Sequence, residues 1–521
     1  MKKSNDLMVL IRSLTKSEKI YFKLFAGRNK VAGNRINIKL FDVLDKSGED
    51  PEDAIKAHFI NENFLKQLKV YKHRLYDLIL RGLTEKYTGK SIDSQLRDLI
   101  NRIEVLYNKG LYENSRKIVI KAKEAAYKYE KYILLLEIIR WEKKIIGAGL
   151  FDGVNETYLS KLYEEEHLAI SKINNINDYW KINSDMLLHY RIYGEARTKE
   201  DIAIYDNIKE KSLLIKKEEP FCYEARYYSK SCEINYCLGI DNIPNTYNSI
   251  KDMIAFYESY PEQIPHSIKA YTNTKFNLLK TTLELQKYKE YFETIMEINA
   301  ISNKYKFDLS ESTSSYITIN TYGWKLVAYL RTGNFDQALS LVSEIEKELK
   351  YKQNKAYESV FQELFAILFF CIRDFSTSLK WINKLLNSQK TNLWQDLFCK
   401  ARVLQLIIHY EIGNNDLLPY LIKSVCRSLM NKRQLYKTDH ILIEFLRAKI
   451  NKINSKNDLI VAFRELLDKL SQLCQEDPFE RKLHQSSIII PWVQSKVENR
   501  PMGEIMCEIS GFKNFTKENS R

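Results

Sequence analysis

Turn-forming residues are scarce in this chain of 521 residues: 16 Gly and 9 Pro together make up under 5 % of it, against about 12 % in average usage. Tight hairpins between strands need such residues, so the shortage disfavours a strand-rich fold and favours long helices. Long apolar runs are missing as well. The stretch Leu7 to Ile11 is too short for a signal-peptide core. The longest, Leu364 to Ile372, spans nine residues, where a bilayer needs about 20. It reads as a buried core helix, and the chain reads as cytoplasmic, neither exported nor membrane-spanning. The eight cysteines (Cys222, Cys232, Cys237, Cys371, Cys399, Cys426, Cys474, Cys507) contain no Cys-x-x-Cys pair and no His at metal-ligand spacing. A disulfide framework and a zinc module are therefore not expected, and the thiols read as small buried hydrophobes.

What is present is apolar residues at 45 %, enough for a folded interior, and a net charge of +14. That charge is unevenly placed. Residues 1–90 hold 19 Lys+Arg against 11 Asp+Glu, a net +8, and residues 432–521 hold 16 against 12, a net +4. A nearly neutral body with a basic head suggests an anionic partner for the head.

A repeated grammar runs through the middle. In Tyr322-Gly-Trp-Lys-Leu-Val-Ala-Tyr-Leu-Arg-Thr-Gly-Asn-Phe-Asp-Gln-Ala-Leu339, a helix presenting Leu326 and Tyr329 reaches a turn at Gly333. An aromatic (Phe335) and a small residue (Ala338) follow, then Val342 and Ile345 at helical spacing. Glycine permits the left-handed turn, the aromatic wedges between two helices, and the small residue lets their backbones approach. Gly110, Tyr112, Ser115, Val119 and Ala122 repeat the pattern, as do Arg373, Phe375, Ser378, Ile382 and Leu385. Gln286, with Tyr288, Ile295 and Ile298, is a weaker copy. Turns are thus expected at Gly110, Gly149, Gly194, Gly239, Gln286, Gly333, Arg373 and Gly413, separated by 39 to 47 residues.

These units resemble tetratricopeptide repeats, with a period longer than that family's 34 residues and closer to HEAT-type units. The resemblance implies an all-α fold: a right-handed α-solenoid of tandem helix hairpins over residues 91–431. A basic helical domain, loosely similar to helix-turn-helix domains, would precede it at 1–90, and a helical cap would follow at 432–521. The opening Ser13-Leu-Thr-Lys-Ser-Glu-Lys-Ile-Tyr-Phe-Lys-Leu-Phe25 resembles uncharacterised bacterial tetratricopeptide-like proteins, which implies an adaptor and supplies no activity.

In the head, Thr15 and Glu18 form a capping box that starts a helix expected to bury Ile20, Leu24 and Phe25. A second helix is expected over Ile36 to Lys46 and a third from Asp50-Pro51. A fourth, from about Glu62 to Lys86, carries one apolar stripe of Phe64, Leu68, Tyr71, Leu75, Leu78, Ile79 and Gly82. Lys66, Lys69 and His73 fall opposite that stripe, with Lys72, Arg74 and Arg81 on its flanks and Asp77 among them. A helix packed by its apolar side and basic on the other can enter a nucleic-acid groove. Lys66, Lys69, Lys72, His73 and Arg74 are therefore the candidate contacts to nucleic acid or another anionic partner.

Other constellations carry less. Gly147-Ala-Gly149-Leu-Phe-Asp-Gly153 has the glycine spacing of a dinucleotide loop, but Tyr132 to Ile146 before it reads as an amphipathic helix, whereas that loop follows a strand. Glu164, Glu165, Glu166 and His167, or Asp185 with His189, lack further ligands and read as solvated helix faces. No catalytic residue, metal site or cofactor is expected. The resulting expectation is a non-enzymatic scaffold that binds a protein or peptide, with a DNA-contacting regulator as the alternative.

Overall fold

The computed structural model describes residues 4–28, 32–47, 51–59, 65, 67–196, 198–215, 219–305, 311–352, 355–387, 395–414, 416–430, 437–449, 455–477, 480 and 488–511. Every regular element among them is helical. The chain divides into two compact units, one of Met1–Ile176 with Phe221–Tyr223, the other of Asn177–Pro220 with Glu224–Arg521. The first holds α1 (Ser4–Ser13), α2 (Lys16–Arg28), α3 (Ala32–Lys46), α4 (Pro51–His58), α5 (Leu68–Tyr87), α6 (Ile92–Asn108), α7 (Tyr112–Lys128) and α8 (Tyr132–Ala148). Then come α9 (Glu156–Tyr193), α10 (Lys199–Ile215), α11 (Tyr223–Gly239) and α12 (Ile243–Glu258). The second unit continues with α13 (Ile268–Glu284), α14 (Tyr288–Lys304), α15 (Glu311–Arg331), α16 (Phe335–Lys352), α17 (Lys355–Cys371), α18 (Phe375–Leu386), α19 (Gln395–Ile412) and α20 (Leu418–Met430). It ends in α21 (Lys437–Lys449), α22 (Lys456–Glu476), α23 (Ile489–Glu498) and α24 (Met502–Ser510).

One turn recurs. At Gly110, φ is +73°, its N–H bonds to Tyr107 O (2.9 Å), and the next N–H bonds to Leu106 O (3.0 Å). This is a Schellman motif, which satisfies two carbonyls left over at a helix end and reverses the chain. The same pair of bonds forms around Glu130, Leu150, Asp241, Gln286, Gly333, Arg373 and Gly413, all at positive φ. Six of the expected turn positions (Gly110, Gly194, Gln286, Gly333, Arg373, Gly413) lie in the left-handed region. Two do not. After α8 the left-handed residues are Leu150 and Phe151 rather than Gly149, and after α11 the turn falls on Asp241 rather than Gly239. Gly239 serves packing instead, because a methyl group there would meet the Tyr205 ring at 2.2 Å. The turn at Glu130 has no sequence signal, since an ordinary side chain holds its left-handed residue.

Counting from these turns aligns the cores. Seven residues before the turn stand Ile103, Leu279, Leu326, Ala366 and Leu406, all fully buried. Nine after it stand Val119, Ile295, Ile382 and Ile422, and twelve after it Ala122, Ile298, Ile345 and Leu385, again buried. Five after it, Ser115 and Ser378 are small enough for close approach, and each hydroxyl donates back across its hairpin, to Ile103 O (3.1 Å) and Ala366 O (2.7 Å). Each leading helix (α13, α15, α17, α19) packs on its own trailing helix, α13, α15 and α17 also pack on the leading helix of the next hairpin, and trailing helices α14, α16 and α18 pack on the following leading helix. Leading helices are thereby enclosed on most sides. The Leu364 to Ile372 run closes α17 and enters the turn after it, with Phe365, Ala366, Leu368, Phe370 and Cys371 buried, as a core helix requires.

In the head, Thr15 and Glu18 bond reciprocally: Thr15 N donates to Glu18 Oε2 (2.7 Å) and Glu18 N to Thr15 Oγ1 (3.1 Å). The side of α2 that is buried differs from the expected one. Ile20 and Leu24 are 62 % and 63 % exposed, whereas Phe22 and Ala26 are buried. The reason is that α2 packs on α5 and α3, so Phe22 joins Phe41, Leu75 and Ile79 in a core that an additional helix, α1, completes with Leu7, Met8 and Ile11. Gly82 of α5 meets Phe25, whose ring would touch a methyl group there at 3.0 Å. Asp50, Glu62 and Phe64 lie outside the described residues, as do Pro478 and everything from Phe512 onward.

Gly110 and Gly333 separate backbone strain from crowding. A methyl group at Gly110 meets nothing within 4 Å, but at Gly333 it would lie 2.2 Å from Gly503 O. Gly110→Ala should cost about 1–2 kcal/mol, the left-handed penalty alone. Gly333→Ala should cost roughly 3 kcal/mol or more, as strain and a backbone clash add. Urea unfolding midpoints of the two variants measure the difference.

Candidate functional site

The described part of the basic helix α5 presents Lys69, His73, Arg74 and Arg81 to solvent, with Lys72 partly buried. Lys66 lies outside the described residues. The exposed charges are partly committed. His73 Nε2 is 3.5 Å from Asp77 Oδ2 one turn on, and the Arg74 guanidinium sits 5.8 Å from the Tyr71 ring centre. Farther along, Arg81 lines a shallow hollow with Asp77, Leu80, Thr84, Glu85 and Thr88. Glu85 accepts from Arg28 (2.6 Å) and Tyr21 (3.0 Å), tying α2 to α5. The cationic stretch is therefore one end of the helix, Lys69 to Arg74, and the other end is mixed.

A second surface follows from the packing of the leading helices. On α13 the solvent-touching residues are Lys269, Ala270, Asn273, Asn277, Lys280 and Glu284, a stripe at helical spacing. Forty-seven residues on, the same register of α15 carries Tyr316, Asn320, Trp324, Val327 and Arg331. The two stripes join: Tyr316 Oη donates to Asn273 Oδ1 (2.9 Å), and Lys269 Nζ sits 5.0 Å from the Tyr316 ring centre. Asn320 Nδ2 donates to Tyr357 Oη of α17 (3.0 Å), carrying the line onward. Lys280 is committed to Glu195 (2.8 Å), an ion pair that lifts the lysine despite its burial. Asn273, Asn277, Trp324 and Lys269 form an amide- and aromatic-rich strip, able to bond the main-chain groups of an extended peptide or the polar side chains of a helical one.

Two ionic networks were not foreseen. In the first unit, Lys123 Nζ donates to Glu142 Oε2 (2.9 Å) and to Glu165, and Tyr158 Oη donates to the buried Glu142. Glu142 stands among Ile138, Ile139, Ile145 and Ile146, and a carboxylate inside an apolar period was the available signal. This network accounts for part of the acidic run: Glu165 pairs with Lys123, and Glu166 with Lys143 (2.5 Å). His167 packs at a tilt against Tyr163, Asp185 pairs with Lys181 (2.6 Å), and His189 packs between Tyr193 and Tyr205. In the second unit, a groove of 660 Å³ has the buried Lys275 in its floor, bonded to Glu297 (2.8 Å). Lys251 and Tyr247 close on Glu290 along its rim. The Gly147–Gly153 segment forms the α8–α9 turn, with Leu150 and Phe151 exposed. Among the described residues, no cluster of His, Cys, Asp or Glu has the geometry of a metal site, and no helix is long and apolar enough to cross a membrane.

The chain was compared with family models, with curated proteins and with solved structures, and none of the three gave a match.

One carboxyl titrates unusually. Burial pushes Glu363 of α17 up to about 7, against the pull of Lys400. A carboxyl raised in the folded state favours folding when protonated. Its contribution is complete below the ordinary carboxylate range and is lost as pH rises through about 7. Wild-type stability should therefore fall by roughly 1–3 kcal/mol relative to Glu363→Gln between about pH 5 and 8. Denaturant titrations of both proteins across that range check it.

Proposed function

We propose that the protein is a non-enzymatic interaction scaffold, a right-handed tetratricopeptide-like solenoid that receives a peptide or partner helix along its leading helices. The observation that carries this reading is the joined strip on α13 and α15. Its exposed positions keep one register 47 residues apart, with Asn273 and Asn320 as the recurring amide and Tyr316 and Trp324 in the places of Lys269 and Asn277, so they meet a linear ligand at regular intervals. Enclosed leading helices with half-exposed trailing ones give the strip a rigid backing, and rigidity limits the entropy lost on binding.

A second reading is a transcription-associated regulator whose head contacts DNA. The exposure of Lys69, His73 and Arg74 together with the net +8 of residues 1–90 favours it. Opposing it are Asp77 and Glu85 on the same helix.

The full-length chain distinguishes the two. On the scaffold reading, a photo-reactive side chain at Asn277 captures a cytosolic protein in cells, and the complex survives about 0.5 M salt because its contacts are not mainly ionic. On the regulator reading, anisotropy with random duplex DNA shows binding that weakens steeply with salt. Lys69→Ala with Arg74→Ala then lowers the salt slope by about 2. Adducts absent at Asn277, with DNA binding of that kind, would reverse the order of the two.

A further inference from the structure

The last described helices do not extend the stack of hairpins. They turn back along the edge where the hairpins reverse. Trp492 Nε1 and Lys496 Nζ of α23 both donate to Glu411 near the end of α19 (2.6 and 2.7 Å), fixing that helix firmly. Beyond it, α24 reaches the turns of earlier hairpins. Gly503 lies against the left-handed Gly333, and a methyl group at Gly503 would stand 3.1 Å from the Phe335 ring and 3.3 Å from Gly333 O. A hydrogen bond joins Ser510 to Tyr288 at the start of α14. Between α24 and the turns lies a cleft of 770 Å³, lined on one side by Gly333, Phe335, Cys371 and Arg373.

We propose that α24 is a releasable strap over this turn edge, hinged at Asn499–Pro501, whose opening uncovers the cleft and the Cys371 thiol. Three features give it that character. The hinge holds Asn499 in a left-handed conformation (φ +53°) followed closely by Pro501, so chain direction changes there without a continuous helix ladder. The strap's carboxylates pair with the hinge, not with the body: Arg500 bonds Glu504 (3.4 Å) and Glu508 (2.5 Å) of α24, and also Glu498 at the end of α23 (3.0 Å). Lifting it therefore strands no buried ion pair on the body. Its grip is the apolar side of one short helix, with Met502, Ile505 and Met506 buried, and unbranched thioethers adapt to more than one seat. Where strap and body come closest the contact is backbone on backbone at two glycines, which fits one docked position and does not interlock.

The test uses the full chain and Gly503→Leu. The new side chain cannot fit against Phe335, yet leucine is a better helix former than glycine, so α24 itself is not weakened. Maleimide labelling resolved by mass spectrometry reads the outcome. Cys371, 4 % exposed, should label about tenfold faster or more in the variant. Cys232, buried against Met186 and Tyr205, should stay protected. Unchanged Cys371 labelling in the folded variant overturns the proposal. So does a joint rise of Cys371 and Cys232, because the strap is then inseparable from the fold. Hydrogen exchange of the wild type adds a check that does not depend on the variant: amides of Met502–Ser510 should exchange much faster than those of α17. Equal protection overturns the proposal as well.

Discussion

The left-handed residue that closes each leading helix is the constraint on which the repeats depend. It lets two successive N–H groups bond to carbonyls of the last helical turn, and the next helix starts two residues later at Gly110, Asp241, Gln286, Gly333 and Arg373, as it also does at Glu130 after α7. So short a connection leaves the second helix little choice but to fold back on the first. The distance from turn to core is then fixed, which is why Ile103, Leu279, Leu326, Ala366 and Leu406 are all buried at one offset. Glycine supplies this conformation without strain, but Glu130, Asp241, Gln286 and Arg373 adopt it too. At those positions the surrounding packing outweighs a local penalty of about 1–2 kcal/mol.

Polar groups are distributed by the same geometry. The floor of the groove beside α13 holds Lys275, bonded to Glu297 of the trailing helix α14. One repeat on, Tyr322 occupies the same place relative to its turn and is hydrogen-bonded to Glu344 of α16. Each pair spans a hairpin at equal distance from its turn, so a polar side chain buried on the leading helix finds its partner on the trailing one. The Ser115 and Ser378 hydroxyls do so at another offset. Such bonds answer the high cost of burying unpaired polar groups and fix the register of hairpins that apolar contact alone would leave free to slide.

The candidate surfaces differ in how far the sequence revealed them. The basic end of α5 was legible because Lys66, Lys69 and His73 recur at helical spacing opposite an apolar stripe, with Arg74 on its flank. The strip of Lys269, Asn273 and Asn277 was not, because α13 and α15 are surrounded by other helices. Their few solvent-touching residues emerge only once each neighbour is in place. The Lys123–Glu142–Tyr158 network unites three helices and has one local trace, the carboxylate of Glu142 set in an isoleucine-rich period.

Sequence alone determined the helical class, the capping box at Thr15 and Glu18, and most of the turn positions, since each follows from chemistry within a few neighbouring residues. Tertiary structure decided what those neighbours cannot encode. It turned Ile20 and Leu24 outward by packing α2 on α3 and α5 through Phe22 and Ala26. It put the turn at Asp241 and left Gly239 inside α11 against the Tyr205 ring, and it brought Gly503 back to Gly333 across 170 residues of chain. Helix propensity and capping act within one or two turns, whereas which side of a helix is covered depends on whatever part of the chain comes to lie against it.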